Sequence, residues 1–151
     1  MKIIEMNSAE GCGVVEELLK NGSNVHLCVT GSSMMPFLSP NRDVVVLRSC
    51  KDDSFKFGQI LLFKRSDGRL VLHRIRKIKG NTLTMNGDSQ VWCESIHKEQ
   101  AVACVAQVIK NGKCIEAESV RYKLWAILWY PTRPIRLFMK KIRNAFKLRR
   151  R

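Results

Sequence analysis

The chain lacks the features of disulfide scaffolds, zinc proteins and membrane-spanning proteins. Six cysteines in 151 residues fall well below the roughly 8–10% of a disulfide scaffold. No two of them form a C-x-x-C pair of the kind that binds zinc. No run of about 18 apolar residues is present, and residues 1–10 carry charges without an apolar segment, so we expect neither a spanning helix nor a signal peptide. We expect reduced, mostly buried thiols in a cytoplasmic protein at Cys12, Cys28, Cys50, Cys93, Cys104 and Cys114.

Acidic residues are also missing from the end of the chain. Residues 120–151 hold eleven lysines and arginines and no aspartate or glutamate. Because the formal net charge of the whole chain is +14, residues 1–119 carry only +3. We therefore predict a nearly neutral domain over residues 1–118, followed by a basic tail over residues 119–151.

Short segments rich in valine and isoleucine, separated by turn residues, make up most of the domain. We predict strands over Val25 to Val29, Val44 to Leu47, Ile60 to Phe63, Leu70 to Ile78 and Val102 to Ile109. A short helix capped by Ser8 and running to about Lys20 precedes them. Asp67-Gly68 and Asn111-Gly112 favour type I′ hairpins, in which both central residues take positive φ. The pattern predicts a mostly β fold with a curled antiparallel sheet or a partly open barrel.

One loop has the composition of a nucleophile turn. Gly31, Ser32 and Ser33 directly follow the first predicted strand. A glycine there lets the backbone turn sharply, so that serine hydroxyls and backbone N–H groups can point outward together. A nucleophile and the donors that hold an oxyanion need that arrangement. Taken alone, a Gly-Ser-Ser segment is also typical of an ordinary turn.

The segments that follow this loop occur in an order that resembles the signal peptidase and LexA-like group of serine peptidases. The nucleophile box is Gly31-x-Ser33-Met34-x-Pro36-x-Leu38, and Asn41 to Val46 is similar to the strand after it. The later boxes are Gly58-Gln59-Ile60-Leu61-Leu62-Phe63, Leu72-His73-Arg74-Ile75 and Asn86-Gly87-Asp88-Ser89, with Val102 to Ile109 as a closing strand. Gln59 stands where the group usually has aspartate. The resemblance covers roughly Val29 to Ser89 and implies the curled β fold of that group.

The resemblance implies a catalytic role for three residues. Ser33 is the expected nucleophile, and His73 is the expected general base, as in the Ser-His branch of the signal peptidases. Other members of the group use a lysine base, for which Lys64 and Lys77 are the alternatives in this chain. Asp88 is expected to accept a hydrogen bond from His73 and to hold its tautomer.

The same resemblance implies how the surrounding residues serve the reaction. Gly31 and Ser32 are expected to shape the oxyanion hole together with the backbone N–H of Ser33. Met34 and Pro36 are expected to line the substrate site. The reaction needs no metal and no cofactor.

These residues favour a serine endopeptidase that processes a peptide or protein precursor, similar to a signal or leader peptide, through a Ser33–His73 dyad. Two alternatives stay open. One is a LexA- or UmuD-like regulatory peptidase that cleaves itself or a partner, and the other is a catalytically inactive adaptor of the same fold. Nothing in the sequence indicates an oligomeric state.

The basic tail is predicted to form two short helices. Ser119 can cap the first, which holds Tyr122, Trp125, Leu128 and Trp129 and ends at Pro131. The second follows Pro134 and places its apolar residues at helical spacing, namely Ile135, Phe138, Met139, Ile142, Ala145 and Phe146. Its opposite stripe is cationic.

Three partners compete for this tail. An anionic membrane surface is favoured, and would be contacted through Trp125, Trp129, Arg136, Lys140, Arg143 and Lys147. The apolar stripe could instead pack on the domain or on a partner protein. Nucleic acid is disfavoured, because the aromatic residues do not lie among the cations, where base stacking would need them. We therefore expect a cytoplasmic location, with peripheral attachment to a membrane as the favoured role of the tail.

Overall fold

The computed structural model describes residues 3–4, 9–50, 55–136, 138–139 and 142. Within them, nine strands form one sheet: β1 (Ile3–Ile4), β2 (Val25–Cys28), β3 (Val44–Arg48), β4 (Ile60–Lys64), β5 (Leu70–Lys79), β6 (Thr82–Asn86), β7 (Glu94–His97), β8 (Ala101–Lys110) and β9 (Lys113–Glu116). Helix α1 (Ala9–Lys20) lies between β1 and β2 in sequence, and helix α2 (Val120–Trp129) follows β9. Ser8, the predicted cap of α1, lies outside the described residues.

The strands follow the order β1-β2-β3-β8-β4-β5-β6-β7, and β9 pairs with β8. All the described strand pairs are antiparallel except β1 with β2. The register shifts in three pairs, at Val46/Leu47, Leu62/Phe63 and Ile75/Lys77. Irregularities of this kind bend strands and increase their twist, and the sheet curls into a half-barrel. The predicted mostly β fold with a curled antiparallel sheet is confirmed.

The continuous apolar run of β4 is explained by its burial on both faces. Ile60 and Leu62 belong to a large hydrophobic core that also includes residues of α1, β2, β3 and α2. Leu61 and Phe63 point to the opposite side, into a second core shared with β5, β6 and β7. A strand between two cores has no solvent face, so it shows no alternation of apolar and polar residues.

The two predicted hairpins differ in the structure. At Asn111-Gly112 both residues take positive φ, at 49° and 74°, as a type I′ turn requires. At Asp67-Gly68 only Gly68 is left-handed, and its N–H donates to the carbonyl of Arg65. That loop therefore resembles a three-residue connection, in which a type I turn is followed by a left-handed glycine, and the type I′ prediction for it is wrong.

The expectation of reduced cysteines is wrong for two of the six. Cys50 and Cys104 form a disulfide that joins the chain after β3 to β8. Among the other described thiols, Cys28 and Cys93 are half-buried and Cys114 is exposed. The two partners are 54 residues apart in sequence, and only the pairing of β3 with β8 brings them together.

Helix α2 begins as predicted, because the side chain of Ser119 accepts a hydrogen bond from the N–H of Tyr122. The phenol oxygen of Tyr122 is buried and accepts a hydrogen bond from the N–H of Ile60, 3.0 Å away, which ties the helix to β4. Beyond α2 the chain forms a 3-10 turn over Tyr130–Thr132 and is helical again at 133–136, 138, 139 and 142. The predicted tail residues outside the described ones are Lys140, Arg143, Ala145, Phe146 and Lys147. Across the described part of the chain, no helix combines the length and the apolar character needed to cross a membrane.

Close packing between α2 and the turn before β4 gives a stability prediction. Gly58 has φ +84°, and a Cβ there would lie 2.7 Å from the Cβ of Ala126. Gly58→Ala should cost about 1–2 kcal/mol for the left-handed backbone and about 1–3 kcal/mol more for overpacking. The free energy of unfolding in urea measures the loss.

Gly68→Ala is the matched control, because Gly68 has φ +85° and a Cβ there meets nothing within 4 Å. It should lose the backbone contribution alone. Equal losses in the two variants would show that α2 does not pack against this turn as described.

Candidate active site

An open cleft of about 290 Å³ lies between the loop after β2 and the beginning of β5. The loop contributes Gly31, Ser33 and Met34 to its lining, and β5 contributes Leu70 to His73. Arg65, which follows β4, is a further lining residue. The predicted nucleophile and the predicted general base therefore line the same cleft.

Gly87 shows how closely the nucleophile loop and the histidine approach each other. A Cβ built on Gly87 would lie 2.6 Å from the backbone oxygen of Ser33 and 3.0 Å from Nε2 of His73. One point beside Gly87 is thus within contact distance of both residues. A side chain at position 87 would clash with both and displace them from this turn. Packing therefore requires the glycine of the Asn86-Gly87-Asp88-Ser89 box.

Ser89 holds the nucleophile loop through its backbone. Its N–H donates to the carbonyl oxygen of Ser33 at 2.9 Å. Its hydroxyl donates to the carbonyl oxygens of Ser32 and Ser33, each at 3.0 Å. These bonds fix the main chain of the loop, and they engage carbonyl oxygens only, not the Ser33 hydroxyl.

The carboxylate beside His73 belongs to Glu94, which the sequence analysis did not identify. His73 is buried on β5, and its Nδ1 lies 2.9 Å from Oε1 of Glu94, the first residue of β7. Nδ1 makes no well-aligned hydrogen bond with that oxygen, so the contact is a close electrostatic pairing. The prediction that Asp88 is the partner of His73 is wrong.

Arg65 shares the Glu94 carboxylate. Its Nε donates to Oε2 at 2.7 Å and its Nη2 to Oε1 at 2.6 Å, in a bidentate pair. The pKa of His73 is lowered to about 4, chiefly by burial and in part by the positive charge of Arg65, against the opposing effect of Glu94. His73 is therefore neutral at pH 7, which is the form a general base needs.

Asp88 has a different role from the predicted one. Its side chain is completely buried and accepts hydrogen bonds from Arg74, from Arg76 and from the indole N–H of Trp125. Its backbone oxygen accepts from the indole N–H of Trp129. The chain turns at Gly87, so the Asp88 carboxylate points toward α2. There both of its oxygens accept hydrogen bonds from arginine and tryptophan side chains. It holds the Gly87–Ser89 turn in place and is not a partner of the histidine.

The remaining predicted site residues divide between the cleft and its outside. Met34 is buried and lines the cleft, whereas Pro36 is exposed and is not among the described lining residues. Gly31 lines the cleft, and a Cβ there would meet no protein atom within 4 Å, so the glycine leaves space in it. Ser32 is exposed, and its carbonyl oxygen is held by Met35 N–H as well as by Ser89.

The residues predicted to contact a membrane turn toward the domain where the structure describes them. The indoles of Trp125 and Trp129 stack on each other and donate to Asp88. The guanidinium of Arg136 lies over the Trp129 ring and donates to the backbone oxygen of Asp88. These three residues therefore contact the domain, whereas Ile135, Phe138 and Met139 of the apolar stripe are exposed.

The two lysines considered as alternative bases do not line the cleft. Lys64 and Lys77, the alternative bases, are exposed. No cluster of three or more His, Cys, Asp or Glu side chains able to hold a metal ion occurs among the described residues.

No protein-family model matches the chain, and no curated protein matches it either. The chemistry of the cleft therefore has to be inferred from its geometry.

The environment of His73 predicts an unusual titration. The imidazole should titrate with a pKa of about 4, in place of the ordinary 6.5, because burial disfavours its charged form. NMR of the ring protons against pH measures it, with His73→Gln used to assign the signal. Because the folded pKa lies below the unfolded one, neutral His73 favours folding fully above pH 6.5, and that contribution is lost as the pH falls toward 4. A midpoint near 6.5 would contradict the described burial.

The close approach at Gly87 predicts that this position tolerates no side chain. Gly87→Ala should separate the Ser33 loop from the 87–89 turn, because the backbone oxygen of Ser33 would lie only 2.6 Å from the new Cβ. We expect a loss of about 1–3 kcal/mol of stability and disruption of the site. Chemical shifts of Ser89 and Ser33 amides would report the separation. Gly31→Ala is the control in the same site, since a Cβ there meets open space, and it should leave those shifts and the stability nearly unchanged.

Proposed function

We propose that this protein is a serine endopeptidase of the signal peptidase and LexA-like type, acting on a peptide or protein precursor. Ser33 is the nucleophile and His73 the general base. The observation that carries the proposal is the point beside Gly87, which lies within 3.0 Å of both the Ser33 backbone and Nε2 of His73, in an open cleft lined by both residues.

The chemistry follows from the neutral, buried imidazole. Nε2 of His73 accepts the proton of the Ser33 hydroxyl as Oγ attacks the peptide carbonyl, and it returns that proton to the leaving amine. Water then attacks the acyl-enzyme, with His73 acting as base again. Glu94 stabilises the imidazolium that forms transiently, because its carboxylate lies 2.9 Å from Nδ1. Arg65 keeps that carboxylate in position.

The strand pairing around the cleft supports a peptide substrate. Residues Leu70 to His73 of β5 pair with β4 along one edge, and β6 pairs with β5 only from Arg74 onward. The segment Cys28 to Gly31 lines the opposite side of the cleft. An extended peptide between them can add as a strand to the unpaired edge of β5, which would carry its scissile carbonyl toward Ser33.

The proposal is tested by cleavage of a complex peptide library, read by mass spectrometry of the new termini, because it needs no knowledge of the natural precursor. Wild-type protein should generate termini with a common sequence preference. Ser33→Ala and His73→Ala should each lower the rate by about 10⁴-fold or more. Glu94→Gln should lose less than His73→Ala, because the base itself remains.

Ser32→Ala is the matched control for Ser33→Ala, since both are serines of the same loop and Ser32 contacts Ser89 only through its backbone. Because Ser32 is expected to help shape the oxyanion hole, the variant should lose at most the roughly 10²–10³-fold of a single oxyanion donor, well short of the loss in Ser33→Ala. Cleavage by Ser33→Ala equal to that of wild type would refute the proposal. Intact-mass measurement of the incubated protein separates the self-cleaving alternative, and a wild type that cleaves neither the library nor itself indicates the inactive adaptor.

A further inference from the structure

Helix α2 carries two apolar stripes on opposite faces. The inward stripe consists of Tyr122, Trp125, Ala126 and Trp129, and the outward stripe consists of Val120, Leu124, Ile127 and Leu128. At about 100° per residue these two sets lie on roughly opposite sides of the helix. The domain covers the inward stripe. The outward stripe faces away from it, with Ile127 55% and Leu128 65% exposed.

Specific contacts prevent α2 from rotating to bury the outward stripe. The phenol of Tyr122 accepts from the backbone of β4, and the indole of Trp125 donates to the buried carboxylate of Asp88. The backbone oxygen of Ala126 accepts a hydrogen bond from Arg76 at 3.0 Å. Turning the helix would leave these buried polar groups without partners, at a cost of about 1–3 kcal/mol for each group.

The exposed apolar surface continues beyond α2. Eight of the thirteen large apolar side chains exposed in the described part of the chain lie between positions 120 and 142. Four of them follow the helix at helical spacing, namely Ile135, Phe138, Met139 and Ile142. So dense a concentration of exposed apolar side chains is unusual for a soluble surface and marks a site of interaction.

The charge around this surface selects the partner. Residues 120–151 hold eleven cations and no acidic residue. A cavity of about 200 Å³ at the side of α2, where the inward and outward stripes meet, is lined by apolar Phe57, Ala126 and Ile127, and also by Arg48. Two lysines line it as well, and the single carboxylate there, Glu118, is already paired with both of them.

We propose that the outward stripe of α2 and the helical segment after it dock on a membrane surface that contains anionic lipids. The apolar side chains enter the boundary between headgroups and acyl chains, while the cations contact lipid phosphates. A second copy of the chain fits poorly, because pairing two such surfaces would bring their cations together. Nucleic acid would neutralise the cations but leave the apolar side chains uncovered. The proposal does not depend on the peptidase chemistry.

The test is co-sedimentation of the full chain with vesicles of phosphatidylcholine, with and without phosphatidylglycerol. Wild-type protein should bind the anionic vesicles, and raising the salt should weaken the binding. The double variant Ile127→Gln plus Leu128→Gln keeps the charge and the helix propensity, and it should bind at least about tenfold more weakly, because two apolar side chains no longer leave water.

The matched control is Val14→Gln plus Ile78→Gln, which replaces two apolar side chains that are 41% and 39% exposed elsewhere on the domain. It should bind like wild type. Circular dichroism shows that each variant is folded, and Ser33→Ala should bind vesicles unchanged whatever its activity. Equal binding of the Ile127/Leu128 variant and wild type would overturn the proposal. So would equal binding to neutral vesicles, or a dimer in the absence of lipid that the double variant abolishes.

Discussion

The buried carboxylate of Asp88 is the interaction on which the arrangement of the molecule depends. It accepts from Arg74 and Arg76 of β5 and from Trp125 of α2. Two guanidinium groups around one carboxylate leave an excess positive charge, which faces aromatic rings: Arg74 lies over Phe37 and Tyr122, and Arg76 lies over Tyr130. Removing one partner from such a cluster exposes uncompensated buried charge, at about 3–5 kcal/mol. Strand, turn and helix are therefore stable only together.

This cluster also explains the geometry of the cleft. Asp88 fixes the turn that it forms with Gly87 and Ser89. The lack of a side chain at Gly87 lets the Ser33 backbone and the His73 ring approach closely, and Ser89 hydrogen-bonds the Ser33 carbonyl. The Ser33 loop is therefore held by a turn that Asp88 fixes from the side of α2. The polar contact of the His73 ring is with a different carboxylate, Glu94, which is itself held by Arg65. A buried ion cluster thus supports the Ser33 loop, and a half-buried ion pair contacts His73.

The sequence predicted the parts of the fold that local pattern determines. The five apolar strands, the Ser119 cap and the curled antiparallel sheet were all accessible from valine and isoleucine runs and from turn residues. Strands β1, β6, β7 and β9 were not predicted, and in β7 only Ile96 among the four residues is buried. Glu94 lies on that strand, so the carboxylate nearest to His73 had no signal of its own. Asp88 was assigned to the histidine because it lies in a matching box, Asn86-Gly87-Asp88-Ser89, but the direction in which a turn sends its side chain depends on tertiary contacts.

The tail shows a second feature that the sequence pattern could not predict, namely which face of α2 packs on the domain. A helix with apolar residues on both faces does not indicate which face packs on the domain, and the membrane contacts were assigned to its tryptophans. The structure selects the inward face by hydrogen-bonding capacity. Tyr122, Trp125 and Trp129 each carry a polar atom that meets a partner inside the domain. Leucine and isoleucine carry none, so they can face outward without losing a hydrogen bond. With these aromatic side chains held inside, the aliphatic side chains of the outward stripe stay exposed in the described part of the chain. The stability of the fold does not require this apolar surface.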